Sequence, residues 1–263
     1  MPRYDFRTPR LFVEAALHEG ASVALDKAQA NYLVNVLRLA PGDPVLLFNA
    51  RDGEWRAALQ REGKKSVSLL VGEQTRPQER ACDLHYLFAP LKHARLDYMV
   101  QKTIELGVSV LQPVTTRHTQ AARVNLERMR ANAIEAAEQC GVLSIPEISE
   151  PMTFARALAA RKADRLLVFC DEEAVVKDPI ATLADARQGP AAHLPLTMSP
   201  AGSGRQPLAL LIGPEGGFAE EERAALLKLT NIVRLSLGPR ILRADTAAVA
   251  ALALIQAALG DWR

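Results

Sequence analysis

The chain has 263 residues, of which 49% are hydrophobic and 24% are charged, and its formal net charge is +2. At about 150 residues per domain, this length predicts two domains or one large α/β domain, and the balanced composition excludes a disordered, collagen-like or fibrous protein. The small net charge does not by itself indicate a nucleic-acid partner, so an RNA-binding surface must form by local clustering of basic residues.

No segment predicts a membrane span or a secretion signal. The longest uninterrupted apolar run, 247–255, has nine residues, whereas a spanning helix needs about 20. The start of the chain lacks an apolar core behind basic residues, which argues against a signal peptide. Cys82, Cys140 and Cys170 are odd in number and widely spaced, so they predict reduced thiols in a cytoplasmic protein.

Residues 1–73 are predicted to form mostly short β-strands. Alternating or β-branched segments predict strands over 22–25, 44–48, 55–59 and 66–71. Asp52-Gly53 predicts a hairpin turn, and Asp26 can cap one helix whose apolar residues recur at helical spacing. Several short strands with a single helix predict a small β-barrel, and the polar stretch 73–80 predicts a linker behind it.

Residues 74–263 alternate between strand-like and helix-like segments, which predicts a parallel sheet covered by helices. The predicted strands are 84–89, 108–111, 166–170, 208–212 and 232–237. The predicted helices are 94–106, 126–140, a short helix that Pro179 opens, and 246–259. Gly107 and Gly141 stand where left-handed residues end helices. Residues 189–207, with four prolines and three glycines, lack periodicity and predict a mobile surface insertion.

Two glycine-containing loops are the strongest candidates for a ligand site. The segment 213–218, Gly-Pro-Glu-Gly-Gly-Phe, follows one predicted strand, and 238–243, Gly-Pro-Arg-Ile-Leu-Arg, follows another. Ligands of open α/β sheets bind outside the carboxyl ends of the strands, where glycines let the backbone approach them. Neither loop has phosphate-binding spacing, and the Glu215 carboxylate would repel a pyrophosphate but suit a sulfonium cation. A plain tight turn into the next helix is the alternative for 213–218.

Other catalytic motifs are absent from the sequence. It holds no Gly-x-Ser-x-Gly elbow and no His-Glu-x-x-His. The five histidines show no metal-ligand spacing, so no metal site is predicted.

The two loops resemble those of the SPOUT class of methyltransferases, and more narrowly those of the bacterial 16S ribosomal RNA uracil-N3 methyltransferases. The segments that carry the resemblance are 211–218, 237–243, 101–108, 138–141 and 146–148. The resemblance extends over essentially the whole chain. The sequence departs from the family pattern at Ala244-Asp245, which replaces Thr-Glu, and at Thr116-Arg117-His118, which replaces Glu-Arg-Ser or Glu-Arg-Cys.

The resemblance implies a PUA-like RNA-binding barrel over 1–73, a trefoil-knotted SPOUT methyltransferase α/β domain over 74–263, and a homodimer. It also implies that S-adenosylmethionine binds in the knot and that ribosomal RNA, within the small ribosomal subunit, is the substrate. The residues expected to line the cofactor pocket are Cys170, Asp171, Leu211, Ile212, Gly213, Gly217, Leu235, Leu237, Gly238 and Leu242. The residues expected to contact RNA are Arg3, Arg7 and Arg10, which cluster within ten residues with only Asp5 opposing them, together with Lys92 and Arg117.

Uracil N3 carries a proton, so its methylation needs a proton acceptor or a group that stabilises the anion. The predicted catalytic residues are Arg243 and Asp245, with Arg240 as a further candidate. An arginine can stabilise charge on the uracil carbonyls, and either Asp245 or Glu215 can take the proton. Alternatively, Arg243 and Asp245 pair only to brace the loop. Methylation of a ribose 2′-hydroxyl or another base, and non-catalytic RNA binding, are the competing functions.

Overall fold

The structure is a computed structural model that describes residues 5, 7–62, 66–79, 81–120, 123–174, 178–187 and 206–262. Most of the predicted insertion 189–207, and the predicted RNA contact Arg3, lie outside these residues. The chain divides into two compact units, Met1–Glu79 with Ala137–Ile145, and Arg80–Ala136 with Pro146–Arg263. Within the described part of the chain, no helix is long and apolar enough to cross a membrane.

The first unit is built on a five-stranded sheet with the order β1-β3-β4-β5-β2. Its strands are β1 (Arg10–Phe12), β2 (Ser22–Ala24), β3 (Pro44–Phe48), β4 (Glu54–Glu62) and β5 (Ser66–Arg76). β1 pairs with β3 in parallel, and the other neighbours are antiparallel. The sheet curls into a half-barrel around a core that includes Leu33, Val45 and Leu69, which confirms the predicted PUA-like class.

Local sequence signals account for two features of this unit. The predicted hairpin joins β3 to β4, and Gly53 in its turn has a left-handed φ of +82°. The Asp26 carboxylate accepts a hydrogen bond from Gln29 N at 2.7 Å, and the Gln29 side chain accepts one from Asp26 N, which makes a capping box. This cap begins α1 (Lys27–Asn31), which continues as a π-helical turn over Tyr32–Val36. The prediction of a linker over 73–80 is wrong for residues 73–76, because β5 extends to Arg76.

The second unit is built on a seven-stranded sheet with the order β12-β10-β11-β6-β7-β8, in which β9 also pairs with β7. Its strands are β6 (Leu84–Phe88), β7 (Val110–Thr115), β8 (Glu147–Ile148), β9 (Met152–Thr153), β10 (Leu166–Cys170), β11 (Leu208–Ile212) and β12 (Ile232–Leu235). Its helices are α2 (His93–Glu105), α4 (Phe154–Ala160), α5 (Pro179–Arg187), α6 (Glu220–Leu227) and α7 (Ala244–Ala258), and α3 (Leu126–Cys140) begins in this unit and ends in the first. The strand pairs are parallel, as predicted.

The long periodic segments lie where the sequence places them. β10, β11 and α3 have the predicted bounds, and Gly107 and Gly141 have left-handed φ values of +75° and +77°. The short elements β8, β9 and α4 were not predicted, because two-residue strands and a two-turn helix are too short to show a period. β12 ends at Leu235, two residues earlier than predicted, and this releases Ser236 and Leu237 into the loop that follows.

A buried carboxylate, Glu54, holds separate parts of the first unit together. It is 4% exposed and accepts hydrogen bonds from Arg10 Nε at 2.8 Å, Arg76 Nη2 at 2.7 Å and Thr75 Oγ1 at 2.9 Å. Both guanidinium groups also donate to main-chain carbonyls within 137–142. Burial raises the pKa of Glu54, but the hydrogen bonds and charges of its partners outweigh burial and hold that pKa below its ordinary value.

This arrangement corrects the prediction that Arg10 contacts RNA. The Arg10 side chain is 7% exposed. Its guanidinium N–H groups bond within the unit, and its charge is balanced by Glu54. A buried, fully engaged guanidinium is not available to an RNA phosphate.

Removing the Glu54 charge should leave two buried guanidinium groups without a counter-charge. We therefore expect Glu54→Gln to lower the free energy of unfolding at pH 7 by about 3–5 kcal/mol. Glu73→Gln is the matched control, because Glu73 pairs with Arg56 while its side chain is 74% exposed, and we expect it to change stability little. Denaturant titration measures both, and equal effects would contradict the prediction.

The same pair of variants gives a pH dependence. Because the folded pKa of Glu54 lies below the ordinary 4.5, its stabilising contribution is present above pH 4.5 and is lost as the pH falls through the folded pKa. The stability difference between the wild type and Glu54→Gln should therefore shrink in acid.

Candidate active site

Three neighbouring parallel strands end at one edge of the second unit's sheet. β10 lies between β11 and β12, with Phe169 opposite Leu211 and Cys170 opposite Leu235. Because parallel strands have their carboxyl ends at the same edge, the segments that follow these strands meet there. They enclose a cavity of about 230 Å³, which we call the loop pocket, and its lining residues come from 170–172, 212–218 and 235–247.

The segment after β11 is a tight turn that favours glycine at two positions. Gly217 N donates to Pro214 O at 2.9 Å, and Gly217 has a left-handed φ of +71°. A Cβ at Gly213 would lie 2.9 Å from the ring of Phe218, which itself packs against the rings of Phe154 and Phe169. The backbone therefore passes directly over an aromatic cluster at the pocket wall.

Side chains from elsewhere in the unit hold this turn in place. The carboxylate of Glu222 accepts hydrogen bonds from Ala219 N at 3.0 Å and from Arg117 N at 2.9 Å. His118 Nδ1 lies 3.2 Å from Gly217 O, and Arg95 forms an ion pair with Glu215. The contacts that Arg117 and His118 make here have no local sequence signal, because they join segments about 100 residues apart.

The end of β10 supplies a neutral thiol to the pocket wall. Burial, with the nearby charges of Glu172 and Asp171, raises the pKa of the Cys170 thiol to about 12. A thiol with this pKa stays protonated at neutral pH, so Cys170 is a wall residue and not a nucleophile.

Asp171, the next residue, is 4% exposed and binds two arginines. Arg234 Nε donates to its carboxylate at 2.9 Å and Arg223 Nε at 3.2 Å. Burial raises the pKa of Asp171, but the hydrogen bonds from Arg223, Glu173 N and Arg234 outweigh it, and the pKa lies below its ordinary value. The carboxylate thereby ties α6 and β12 to the end of β10, and this fixes the strand ends around the pocket.

Nine of the ten residues predicted around a cofactor line the loop pocket. They are Cys170, Asp171, Ile212, Gly213, Gly217, Leu235, Leu237, Gly238 and Leu242. The tenth, Leu211, is a correction: successive side chains of β11 point to opposite faces of the sheet. Its side chain therefore packs in the core beside Phe169 and Val114, and it lines a separate cavity of about 340 Å³ on that face.

The predicted catalytic residues lie in and beside the second loop. Arg240 lines the loop pocket, whereas Arg243 is the exposed residue that caps α7. Asp245 lies in the first turn of α7, where its Oδ1 accepts a hydrogen bond from Thr246 N at 2.9 Å. No ion pair between Arg243 and Asp245 is formed in the described structure, so nothing there supports the loop-brace alternative.

A further cavity, of about 290 Å³, shares two lining residues with the loop pocket. We call it the basin; it is lined by Pro90, Leu91, Lys92, Arg95, Gln120, Pro214 and Glu215, of which the last two also line the loop pocket. Lys92, a predicted RNA contact, is exposed here, and the predicted contacts Arg7 and Arg117 are exposed as well. Among the residues that the structure describes, no group of three or more His, Cys, Asp or Glu side chains could hold a metal ion.

Comparison with known families matches both parts of the chain. A model described as RNA methyltransferase domain matches residues 78–256, and one described as RNA methyltransferase PUA domain matches residues 25–71. Ribosomal RNA small subunit methyltransferase E from Synechocystis sp. is 32% identical over 91% of this chain and 74% of that protein. The protein of the same name from Rickettsia conorii is 29% identical over 94% of both chains.

Solved structures agree with this match. A methyltransferase from Legionella pneumophila, solved in complex with bound S-adenosylmethionine, is 29% identical with a TM-score of 0.77 and covers 96% of this chain and 98% of its own. Ribosomal RNA small subunit methyltransferase E from Neisseria gonorrhoeae shares the fold, with a TM-score of 0.79 at 24% identity over 98% of this chain and all of that chain. The fold and the loop pocket therefore define a methyltransferase of the SPOUT class with a PUA-like first domain. Within that class, the chain belongs to the ribosomal RNA small subunit methyltransferase E family.

The raised pKa of Cys170 predicts slow alkylation. With a pKa of about 12, only about one Cys170 thiol in ten thousand is ionised at pH 8. We expect iodoacetamide to modify Cys170 far more slowly than Cys82 in the folded protein, and both at similar rates in denaturant, as followed by peptide mass spectrometry. Fast labelling of Cys170 in the folded state would show that the site holds a reactive thiolate.

Proposed function

We propose that this protein transfers a methyl group from S-adenosylmethionine to N3 of a uridine in 16S ribosomal RNA. One observation carries the proposal: all the residues predicted around the cofactor except Leu211 line a single pocket at the carboxyl ends of β10, β11 and β12. The chain that forms this pocket belongs to a family named for the methylation of small-subunit ribosomal RNA.

The residues of the loop pocket fit S-adenosylmethionine. Ile212, Leu235 and Leu242 supply apolar walls for an adenosine, and the backbone around Gly213 and Gly217 can approach the ligand closely. Two carboxylates, Glu172 and Glu215, also line the pocket, and they favour a cationic sulfonium over a phosphate. S-adenosylmethionine, when bound, supplies a methyl group on a positively charged sulfur that departs with the bonding electron pair.

The protein must position the uracil and provide an acceptor for the N3 proton. Arg240, on the pocket, and Arg243, at the start of α7, are suited to stabilise negative charge that develops on the uracil carbonyls. Asp245 or Glu215 can take the proton. We expect the methyl group to pass directly to the RNA, because a neutral Cys170 thiol is a poor nucleophile for forming a protein thioether.

We further propose that the substrate is RNA assembled in the small ribosomal subunit, in the cytoplasm, and that the protein acts as a homodimer with a knotted second domain. Exposed Arg7, Lys92 and Arg117 are suited to phosphates. The side chain of Ile241 is 94% exposed on the loop that lines the pocket, and burial against a second copy would remove this apolar surface from water.

Mapping the modified nucleoside tests this function. Purified protein is incubated with labelled S-adenosylmethionine and small subunits, or naked 16S RNA, that lack the modification, and nucleosides are then separated by mass spectrometry. We expect 3-methyluridine, formed faster on assembled subunits. A 2′-O-methylated nucleoside, a different methylated base, or cofactor binding without any product would contradict the proposal.

Replacing Gly217 should weaken cofactor binding. A valine there must adopt a left-handed φ and places a branched side chain where the backbone approaches the ligand, so we expect at least a tenfold loss of S-adenosylmethionine affinity by calorimetry. Gly20→Val is the matched control, because Gly20 has φ +81° with no atom within 4 Å of a built Cβ and lies in the other unit. Unchanged affinity in folded Gly217→Val would overturn the pocket assignment.

Arg7 gives a test of the RNA surface. If Arg7 contacts a phosphate, Arg7→Ala should weaken RNA binding at all sites and reduce the slope of log affinity against log salt by about 0.7–0.9. Filter binding at several salt concentrations measures this, with cofactor affinity as a folding control. An unchanged slope would make Arg7 an ordinary surface residue.

A further inference from the structure

The basin beside the loop pocket has polar side chains that do not line the loop pocket itself. Lys92 and Gln120 are exposed on its rim, and Arg95 forms its ion pair with Glu215 across it. The backbone at Pro214 and Glu215 forms a wall that the two cavities share. A ligand in the basin would therefore lie directly against the residues that border the cofactor.

The polar groups of the basin match the pairing edge of uracil. That edge presents two carbonyl acceptors with the N3–H donor between them. Lys92, Arg95 and the Gln120 amide offer donors, and the Glu215 carboxylate is the charged acceptor beside them. RNA bases are read on this edge once they are unstacked, and the apolar side chains of Pro90 and Leu91 provide a surface for the ring.

We propose that the basin receives the acceptor uracil and that Glu215 takes the proton from its N3. This inference rests on the proposed function and names the substrate subsite and the base of that same site. In the step, the N3–H bond breaks, the proton moves to a Glu215 carboxylate oxygen, and the electron pair stays on N3, delocalised onto the two carbonyls. That pair then forms the bond to the transferred methyl while the methyl–sulfur bond breaks and its electron pair stays on sulfur. Protonated Glu215 afterwards returns its proton to water.

The ion pair with Arg95 keeps Glu215 in place before the base arrives. The side chains of Arg95 and Glu215 are 40% and 45% exposed, so the pair is weak and can open at little cost. An arriving uracil carbonyl competes for the Arg95 guanidinium, which leaves the Glu215 carboxylate free to accept a proton. Arg95 then stays beside the carbonyl and stabilises the N3 anion.

The alternative carboxylate, Asp245, is less well placed. It lines neither the loop pocket nor the basin, and one of its oxygens already accepts a hydrogen bond from Thr246 N. Glu215 lines both cavities. The acceptor of a proton must lie within hydrogen-bond reach of it, and this condition favours Glu215.

The test compares Glu215→Gln with Asp245→Asn in single-turnover methylation of small subunits. At saturating S-adenosylmethionine, Glu215→Gln should slow the reaction about 10²–10³-fold. Its rate should keep rising with pH, because the uracil must then ionise without a base. If Asp245 were the base instead, Asp245→Asn and not Glu215→Gln would show both effects.

A more acidic substrate separates loss of a base from a disturbed loop. Fluorine at C5 withdraws electrons and makes N3–H more acidic, so 5-fluorouridine at the acceptor site should restore Glu215→Gln at least tenfold more than it accelerates the wild type. A merely structural role for Glu215 would give no such selective rescue. Gln120→Ala should raise the KM for RNA while leaving cofactor affinity unchanged.

The outcomes distinguish this inference from the proposed function. If the wild type forms no 3-methyluridine, the proposed function fails. If the wild type forms it and Glu215→Gln retains the wild-type rate and pH profile, only the assignment of Glu215 is overturned. The same holds if pH-dependent and fluorine-dependent rescue appear with Asp245→Asn instead.

Discussion

The parallel pairing of β12, β10, β11 and β6 is the constraint on which the site depends. The first two segments that line the loop pocket, 170–172 and 212–218, are forty residues apart in the chain, and nothing local brings them together. Parallel pairing does so, because it places the ends of β10, β11 and β12 at one edge. β12 ends two residues earlier than its apolar pattern predicts. Ser236 and Leu237 therefore line the pocket instead of continuing the sheet.

Two carboxylates of this unit, Asp171 and Glu215, differ in burial and in the arginines that they bind. Asp171 is buried and its charge is balanced by Arg223 and Arg234, so it stabilises the scaffold and contributes little field to a ligand. Glu215 is nearly half exposed, and among the described residues its ion-pair partner is the similarly exposed Arg95. The two carboxylates border the same pocket, yet one is fixed and the other is available for chemistry. Only the three-dimensional arrangement of the arginines separates their roles.

Sequence reasoning predicted the features that repeat along the chain. The strands 166–170 and 208–212, the helix 126–140 and the loop glycines follow from periodicity and backbone chemistry, and they were enough to locate the pocket. Contacts between distant segments could not be predicted in this way. The bond from Arg117 N to Glu222, the contact of His118 with Gly217 O and the basin all lack a local sequence signal. The same reason explains the wrong prediction for Arg10. Three arginines within ten residues indicate a basic surface, but Arg10 is buried and pairs with Glu54 in another strand.

The assignment of the proton acceptor to Glu215 also gives a physical reason for the departure at Ala244-Asp245. Replacing a glutamate by an aspartate withdraws the carboxylate by one methylene, about 1.5 Å, which would be damaging for a group that must reach a proton at hydrogen-bond distance. If position 245 only needs a negative charge in the first turn of α7, the shorter side chain serves equally well, because an aspartate there interacts favourably with the helix dipole. The chain can therefore carry aspartate at 245 without loss of the chemistry, provided that Glu215 keeps its position between the two cavities.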